Sequence, residues 1–184
     1  DRRQRQMCIR DRLSEVPFDL MYGGTWFYPV HQNVIWTLLL GLLGIRLMEA
    51  ARAKGKRWLY ILTCAAVVVL GFALGTLGMV DYYGAGVLTV FAFYFFRERK
   101  WWCLLGQLAA LYWLNVVVLG GQMYPVTVFG REIELCEQGL ALLALVPIWL
   151  YRGRQGHHSK AFQYACYAFY PAHMLVLALL TMIQ

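Results

Sequence analysis

Residues 58–80 read WLYILTCAAVVVLGFALGTLGMV, 23 consecutive residues without a charged side chain. A helix needs about 20 such residues to cross the hydrocarbon core of a bilayer. Arg57 bounds the run on one side and Asp81 on the other. The run reads as a transmembrane helix and sets the frame for the rest of the chain.

Working outward, five more apolar segments follow the same logic. They cover about residues 33–48 (with TLLLGLLGIRLM), 82–96, 101–119, 133–151 and 161–183. Only helices and closed barrels satisfy their backbone in lipid. Strict alternation of polar and apolar residues is absent, which excludes a barrel. The expected fold is all-α: a polytopic transmembrane helix bundle of about six spans. Gly71 and Gly75 stand in a GxxxG spacing, followed by Gly78, and small residues let helices approach closely in lipid. Pro171 leaves the carbonyl of Tyr167 without its helical partner and should kink the last helix.

Composition agrees. Of the 184 residues 60% are hydrophobic, 16% aromatic and only 15% charged. Mean hydropathy is +0.51. A soluble domain is nearer 45–50% apolar and about 25% charged. This excludes a disordered chain, an ordinary cytosolic enzyme and a small disulfide scaffold. Cys8, Cys64, Cys103, Cys136 and Cys166 form no CxxC pair and read as structural thiols, so no metal is expected. The net charge of +7 sits in short clusters between apolar runs. That is the pattern of membrane loops rather than of a nucleic-acid-binding face.

The loops orient the bundle. Arg46, Arg52, Lys54, Lys56 and Arg57 lie around the first loop, Arg97, Arg99 and Lys100 in the third, and Arg152, Arg154 and Lys160 in the fifth. The alternate connections carry only Arg131. The positive-inside rule puts the basic loops in the cytoplasm and the C-terminus outside. Asp19, Asp81, Glu132, Glu134 and Glu137 then fall on the outer side. Residues 1–12, DRRQRQMCIRDR, break this pattern with five arginines. The run MCIRDR resembles a translated sequencing-adapter fragment. Residues 1–12 are therefore read as non-native and 13–184 as one transmembrane domain with a truncated N-terminus.

Polar residues inside apolar segments are expensive and point to function. His173, in FYPAH, shares a helical face with Cys166, Tyr170 and Leu177. It reads either as a general base or proton relay, or as a structural histidine bonded to freed backbone. Glu15, Asp19 and His31 come near the outer end of the first span. They could serve proton transfer, or form an interfacial turn with Pro17 as breaker and Asn33 as cap. Asp81 precedes a helix and reads as an N-cap or as a direct participant. Gln107 and Asn115 lie on one helical face with Cys103 and are expected to face the bundle and bond between helices. Glu137 with Gln138 could hold an ammonium group or occupy a helix's first turn. Arg152, Arg154, His157, His158 and Lys160 could bind nucleotide phosphates or form a plain positive-inside loop.

Several of these stretches together carry a resemblance. SEVPFDL (14–20), HQNVIWTLLLGLL (31–43), DYYGAGVL (81–88), EQGLALLALVPIWLYRGRQG (137–156) and KAFQYACYAFYPAHMLVL (160–177) resemble the TraX family over about residues 13–184. That family's founding member is the F-pilin acetylase of the bacterial inner membrane. The resemblance implies acetyl transfer from acetyl-CoA to an amine such as the N-terminus of a pilin-like protein, in conjugation. Combined with the residue reading above, this makes His173, Asp19, His31 and Asp81 the expected catalytic residues, and Arg152, Arg154 and Lys160 the expected donor-binding ones. Family members begin with further apolar helices carrying a DHIG-like motif, which this chain lacks. Two other classes stay open. One is a small transporter or channel subunit with Gln107, Asn115 and His173 along a path, and the other is a non-catalytic membrane scaffold.

Overall fold

The computed structural model describes residues 32–128, 131–151, 153 and 159–183. Asp19, His31, Arg152, Arg154, His157 and His158 lie outside the described residues. The chain divides into two compact units, Thr37–Gly153, and Asp1–Trp36 with Arg154–Gln184.

Helix α1 is Val34–Ala53. Asn33 caps it: its side-chain Oδ1 accepts the Ile35 N–H at 2.7 Å, satisfying one of the orphan donors of a helix start. Gly55, at φ +69°, turns the chain after it, a conformation glycine adopts at no steric cost. Helix α2, Arg57–Leu77, is the run that opened the reading. Helix α3, Tyr83–Phe95, returns beside it. Helix α4, Trp101–Tyr112, continues as a π-helix over Trp113–Leu119. Two antiparallel strands follow, β1 (Met123–Val128) and β2 (Arg131–Cys136), with Tyr124 paired to Leu135 and Thr127 to Glu132. A 3₁₀ segment, Glu137–Ala144, leads into the short α5, Leu145–Leu150. Helix α6, Lys160–Ile183, forms the described part of the second unit with residues 32–36, and runs unbroken past Pro171.

Among the described residues, three helices are long and apolar enough to cross a membrane: Val34–Ala53, Arg57–Leu77 and Trp101–Leu119. The expectation of six spans is met only in part. The expected span 82–96 is a helix of 13 residues. At 1.5 Å per residue that is about 20 Å, short of a core about 30 Å thick. The expected span 133–151 is not one helix. Its first residues pair as a strand, its middle winds as 3₁₀ and only Leu145–Leu150 is α-helical. The hairpin has a sequence signal, Glu132 and Glu134 alternating with Ile133 and Leu135, the two-residue period of a strand. Tight winding stretches the remainder. At about 2.0 Å rise per 3₁₀ residue, Glu137–Leu150 extends about 25 Å, more than an α-helix of equal length.

The core of the first unit lies between α1, α2 and α3. Met48, Val67, Val80, Val87 and Phe91 form it. Glycines make the close packing possible. A Cβ on Gly44 would lie 2.6 Å from the Phe91 ring and one on Gly71 2.7 Å from it. A Cβ on Gly75 would lie 2.9 Å from the Cα of Gly84, so α2 and α3 meet backbone to backbone. The GxxxG spacing thus does what such spacings do in lipid, where dispersion contacts rather than water exclusion hold helices together. The outward faces are inverted relative to a soluble protein. Leu38, Leu39, Leu42, Leu43 and Leu47 of α1 are exposed, and only 17% of the α2 span is buried. A continuous apolar exterior of this kind suits hydrocarbon and not water. This is a membrane protein.

Candidate functional site

Two of the basic loops, those carrying Arg52 and Arg97, meet at one end of the first unit, as alternate loops of a spanning bundle should. Glu49, near the end of α1, is the centre of a polar cluster there. The Tyr94 hydroxyl of α3 donates to Glu49 Oε1 at 2.6 Å, and Arg97 Nη1 reaches the same oxygen at 3.4 Å. Arg52, one helical turn on, lies 4.0 Å away. The Arg97 guanidinium also sits over the Tyr94 ring, 4.9 Å from its centroid, a cation–π geometry. Tyr60 of α2 is in hydrogen-bond reach of Tyr94 and Cys64. From the α3–α4 loop Arg99 donates to the carbonyls of Tyr151, at 2.6 Å, and Trp149, holding the end of α5 at this end of the unit. Beside it Glu98 and Lys100 pair in the loop. Their hydrogen bond holds the Glu98 carboxyl below its ordinary range and raises the Lys100 ammonium.

Next to Glu49 a cavity of about 330 Å³ opens at the α1–α2 turn, lined by Arg52, Gly55, Lys56, Arg57 and Tyr60. Ligand pockets start at about this size. The cavity is cationic, and its only aromatic wall, Tyr60, ties it to the Tyr94–Glu49 cluster.

The opposite end holds Asp81. It does not cap α3. The N-cap is Tyr82, left-handed at φ 58° with no side-chain cap bond. The Asp81 carbonyl accepts from Thr37 Oγ1 at 2.9 Å, tying the turn to α1. Met79, Tyr82 and Tyr83 all have positive φ, which costs non-glycine residues on the order of 1 kcal/mol each. The Tyr82 hydroxyl feels the charge of both the Asp81 and Glu137 carboxylates. Glu137 itself lies in the first turn of the 3₁₀ segment.

His173 lies on α6, half-buried, with Nδ1 3.0 Å from the carbonyl of Phe169 and its ring stacked on that of Phe169. A carbonyl only accepts, so Nδ1 is the donor in this contact. The partner is the carbonyl one turn back, not the Tyr167 carbonyl that Pro171 leaves over. Lys160 begins α6 and is exposed. Among the expected site residues the structure therefore describes His173, Asp81 and Lys160.

Gln107 and Asn115 are buried, 5% and 7% exposed, as their polar character in an apolar helix required. Gln107 bonds between elements, donating to the Phe96 carbonyl at 2.8 Å and accepting the Trp149 indole N–H at 2.7 Å. Asn115 bonds within its own helix, to the Leu111 carbonyl at 2.9 Å. The Glu49, Tyr60 and Tyr94 cluster was not among the expected residues. Its signal was present: Glu49 is the one carboxylate of the α1 run. A lone acid among arginines is easily assigned to loop charge.

Among curated proteins and among solved structures, none matches the chain. The family model described as TraX protein matches residues 6–181. That match covers nearly the whole chain, and the chain belongs to the TraX protein family.

Proposed function

We propose that the protein is an integral-membrane acyltransferase that passes acetyl from acetyl-CoA to an amine, such as the N-terminus of a pilin-like protein, in the bacterial inner membrane. Family membership over nearly the whole chain is the observation that carries this reading. His173 supports it. With Nδ1 bound to the Phe169 carbonyl, Nε2 has the lone pair that a general base needs. In the reaction the acceptor ammonium gives up a proton, to Nε2 in this scheme. The amine nitrogen then attacks the thioester carbonyl, the C–N bond forms, the C–S bond breaks, and the leaving sulfur takes the second proton that the nitrogen sheds as it becomes an amide, so coenzyme A leaves as the thiol. Asp81 and Glu137, both acting on Tyr82 through their charge, supply negative charge for the acceptor ammonium in this scheme. Lys160, with Arg152 and Arg154 of the same basic stretch of sequence, is assigned to the donor.

The test is transfer of labelled acetyl from acetyl-CoA to peptide and small-molecule amines by membranes containing the protein. Transfer is expected with the natural chain and lost in His173→Ala at unchanged folded yield. A fully active His173→Ala would remove the histidine from the mechanism. Absence of any transfer or donor binding would move the reading to a transporter subunit or a scaffold.

A further inference from the structure

The cavity at the α1–α2 turn carries positive charge that the described chain does not neutralise. Its lining includes Arg52, Lys56 and Arg57. Arg52 has Glu49 at 4.0 Å, but Glu49 is already engaged by Tyr94 and Arg97. Among the described residues Lys56 and Arg57 enter no ion pair. The same cavity receives the start of α2. Lys56, at the N-cap, provides no side-chain acceptor, and the first turn has no acid. The first N–H groups of a helix lack intrahelical partners and carry about half a positive charge. A carboxylate at the cap is the usual partner, and here a lysine and an arginine stand instead. A loop under the positive-inside rule needs cations but no cavity, and it does not need its helix start stripped of acceptors.

We infer that this cavity binds a phosphate-bearing anion. Three exposed cations and the uncapped start of α2 border one open depression, and phosphate is the ligand that takes charge-assisted bonds from both guanidinium and backbone N–H groups. Two sources share that chemistry, the pyrophosphate of a soluble nucleotide donor and the headgroup of an anionic lipid. The assignment to the soluble donor rests on the acyltransferase reading. Under it, Arg52, Lys56 and Arg57 take the donor's phosphates, and Tyr60 links the site to Tyr94 and Glu49.

The full chain in phosphatidylcholine nanodiscs is titrated with inorganic pyrophosphate and with free coenzyme A. The variants are Lys56→Glu, Arg57→Glu and Lys54→Glu. The last makes the same charge change in the same exposed turn but does not line the cavity. Saturable binding is expected, weakened at least about tenfold by Lys56→Glu and Arg57→Glu and less than about twofold by Lys54→Glu. Lys56→Gln and Arg57→Gln, checked for unchanged melting, guard against misfolding. Equal weakening by all three charge reversals means a diffuse field and overturns the site. Binding of neither probe, with phosphatidylglycerol retained by the natural chain and lost from Lys56→Glu in mixed nanodiscs, keeps the phosphate site and overturns its soluble source. No binding of any of these overturns the proposal. Pyrophosphate binding without acetyl transfer would instead sink the acyltransferase reading and leave this site standing. Transfer with an unchanged donor KM in Arg57→Glu would do the reverse.

Discussion

The hydroxyl of Tyr94 donates to Glu49 Oε1 at 2.6 Å across a sequence separation of 45 residues. This bond joins α3 to α1 at the end where the basic loops gather. It gives the lone carboxylate of α1 a donor in addition to the arginines.

Tyr94→Phe removes that donor and keeps the ring. Hydrogen bonds to charged groups contribute about 1.5–3 kcal/mol, and Glu49 is 43% exposed, so water replaces part of the loss. The expected destabilisation is about 1 kcal/mol. Melting of the purified protein in nanodiscs checks it. A Tyr94→Phe chain as stable as the parent would show that water serves Glu49 equally well.

The Gly75–Gly84 approach makes a steric prediction. Gly75→Ala puts a methyl 2.9 Å from the Gly84 Cα and must push α2 from α3. Overpacking of this kind costs about 1–3 kcal/mol. Gly55→Ala meets nothing within 4 Å and acts only through its φ of +69°, costing about 1 kcal/mol. Denaturation of the two variants side by side should rank Gly75→Ala as the more damaging. The opposite ranking would contradict the packing.

Gln107→Leu is nearly the same size but deletes two bonds at once. The Phe96 carbonyl and the Trp149 indole N–H are left without the partner that Gln107 supplied. Each orphaned group costs about 1–3 kcal/mol when buried. A loss of about 3 kcal/mol is expected, with a shift in Trp149 emission as the α5 end loosens. Retained stability with unchanged emission would mean that these groups find other partners.

The Glu98–Lys100 pair sets a pH window for the α3–α4 loop. A carboxyl held below its usual range stabilises above the unfolded value near about 4.3, and that contribution fades as pH falls through the folded value. A raised ammonium stabilises below about 10.4 and loses its contribution as pH rises through the folded value. The pair is therefore intact from roughly pH 5 to 10. Both side chains are more than half exposed, so salt screens it. In a carboxyl-resolved NMR titration, Lys100→Met should return Glu98 toward the ordinary range. An unchanged Glu98 titration in that variant would reject the pairing.

Much of the fold was legible in the chain because the bilayer imposes simple rules. An uncharged run of span length must hide its backbone bonds, so residues 58–80 could only be a helix, observed as Arg57–Leu77. The glycine spacing at 71 and 75 named the face that α3 would meet. The buried amide Gln107 announced an interhelical bond but not its partners, Phe96 and Trp149. Segment 133–151 was misread because apolarity does not distinguish α, 3₁₀ and strand, and its two-residue alternation is only a few residues long.

By itself, then, the sequence determined the solvent this protein lives in, the helices long enough to cross it and the end at which positive charge collects. Hydropathy and charge act locally along the chain, so they can be read locally. Only the tertiary structure decided which polar groups meet. Glu49 with Tyr94, Asp81 with Thr37 and Gln107 with Trp149 are separated by 45, 44 and 42 residues. Those meetings depend on how three glycine-lined helices settle against one another, and that packing is a property of the whole unit rather than of any segment.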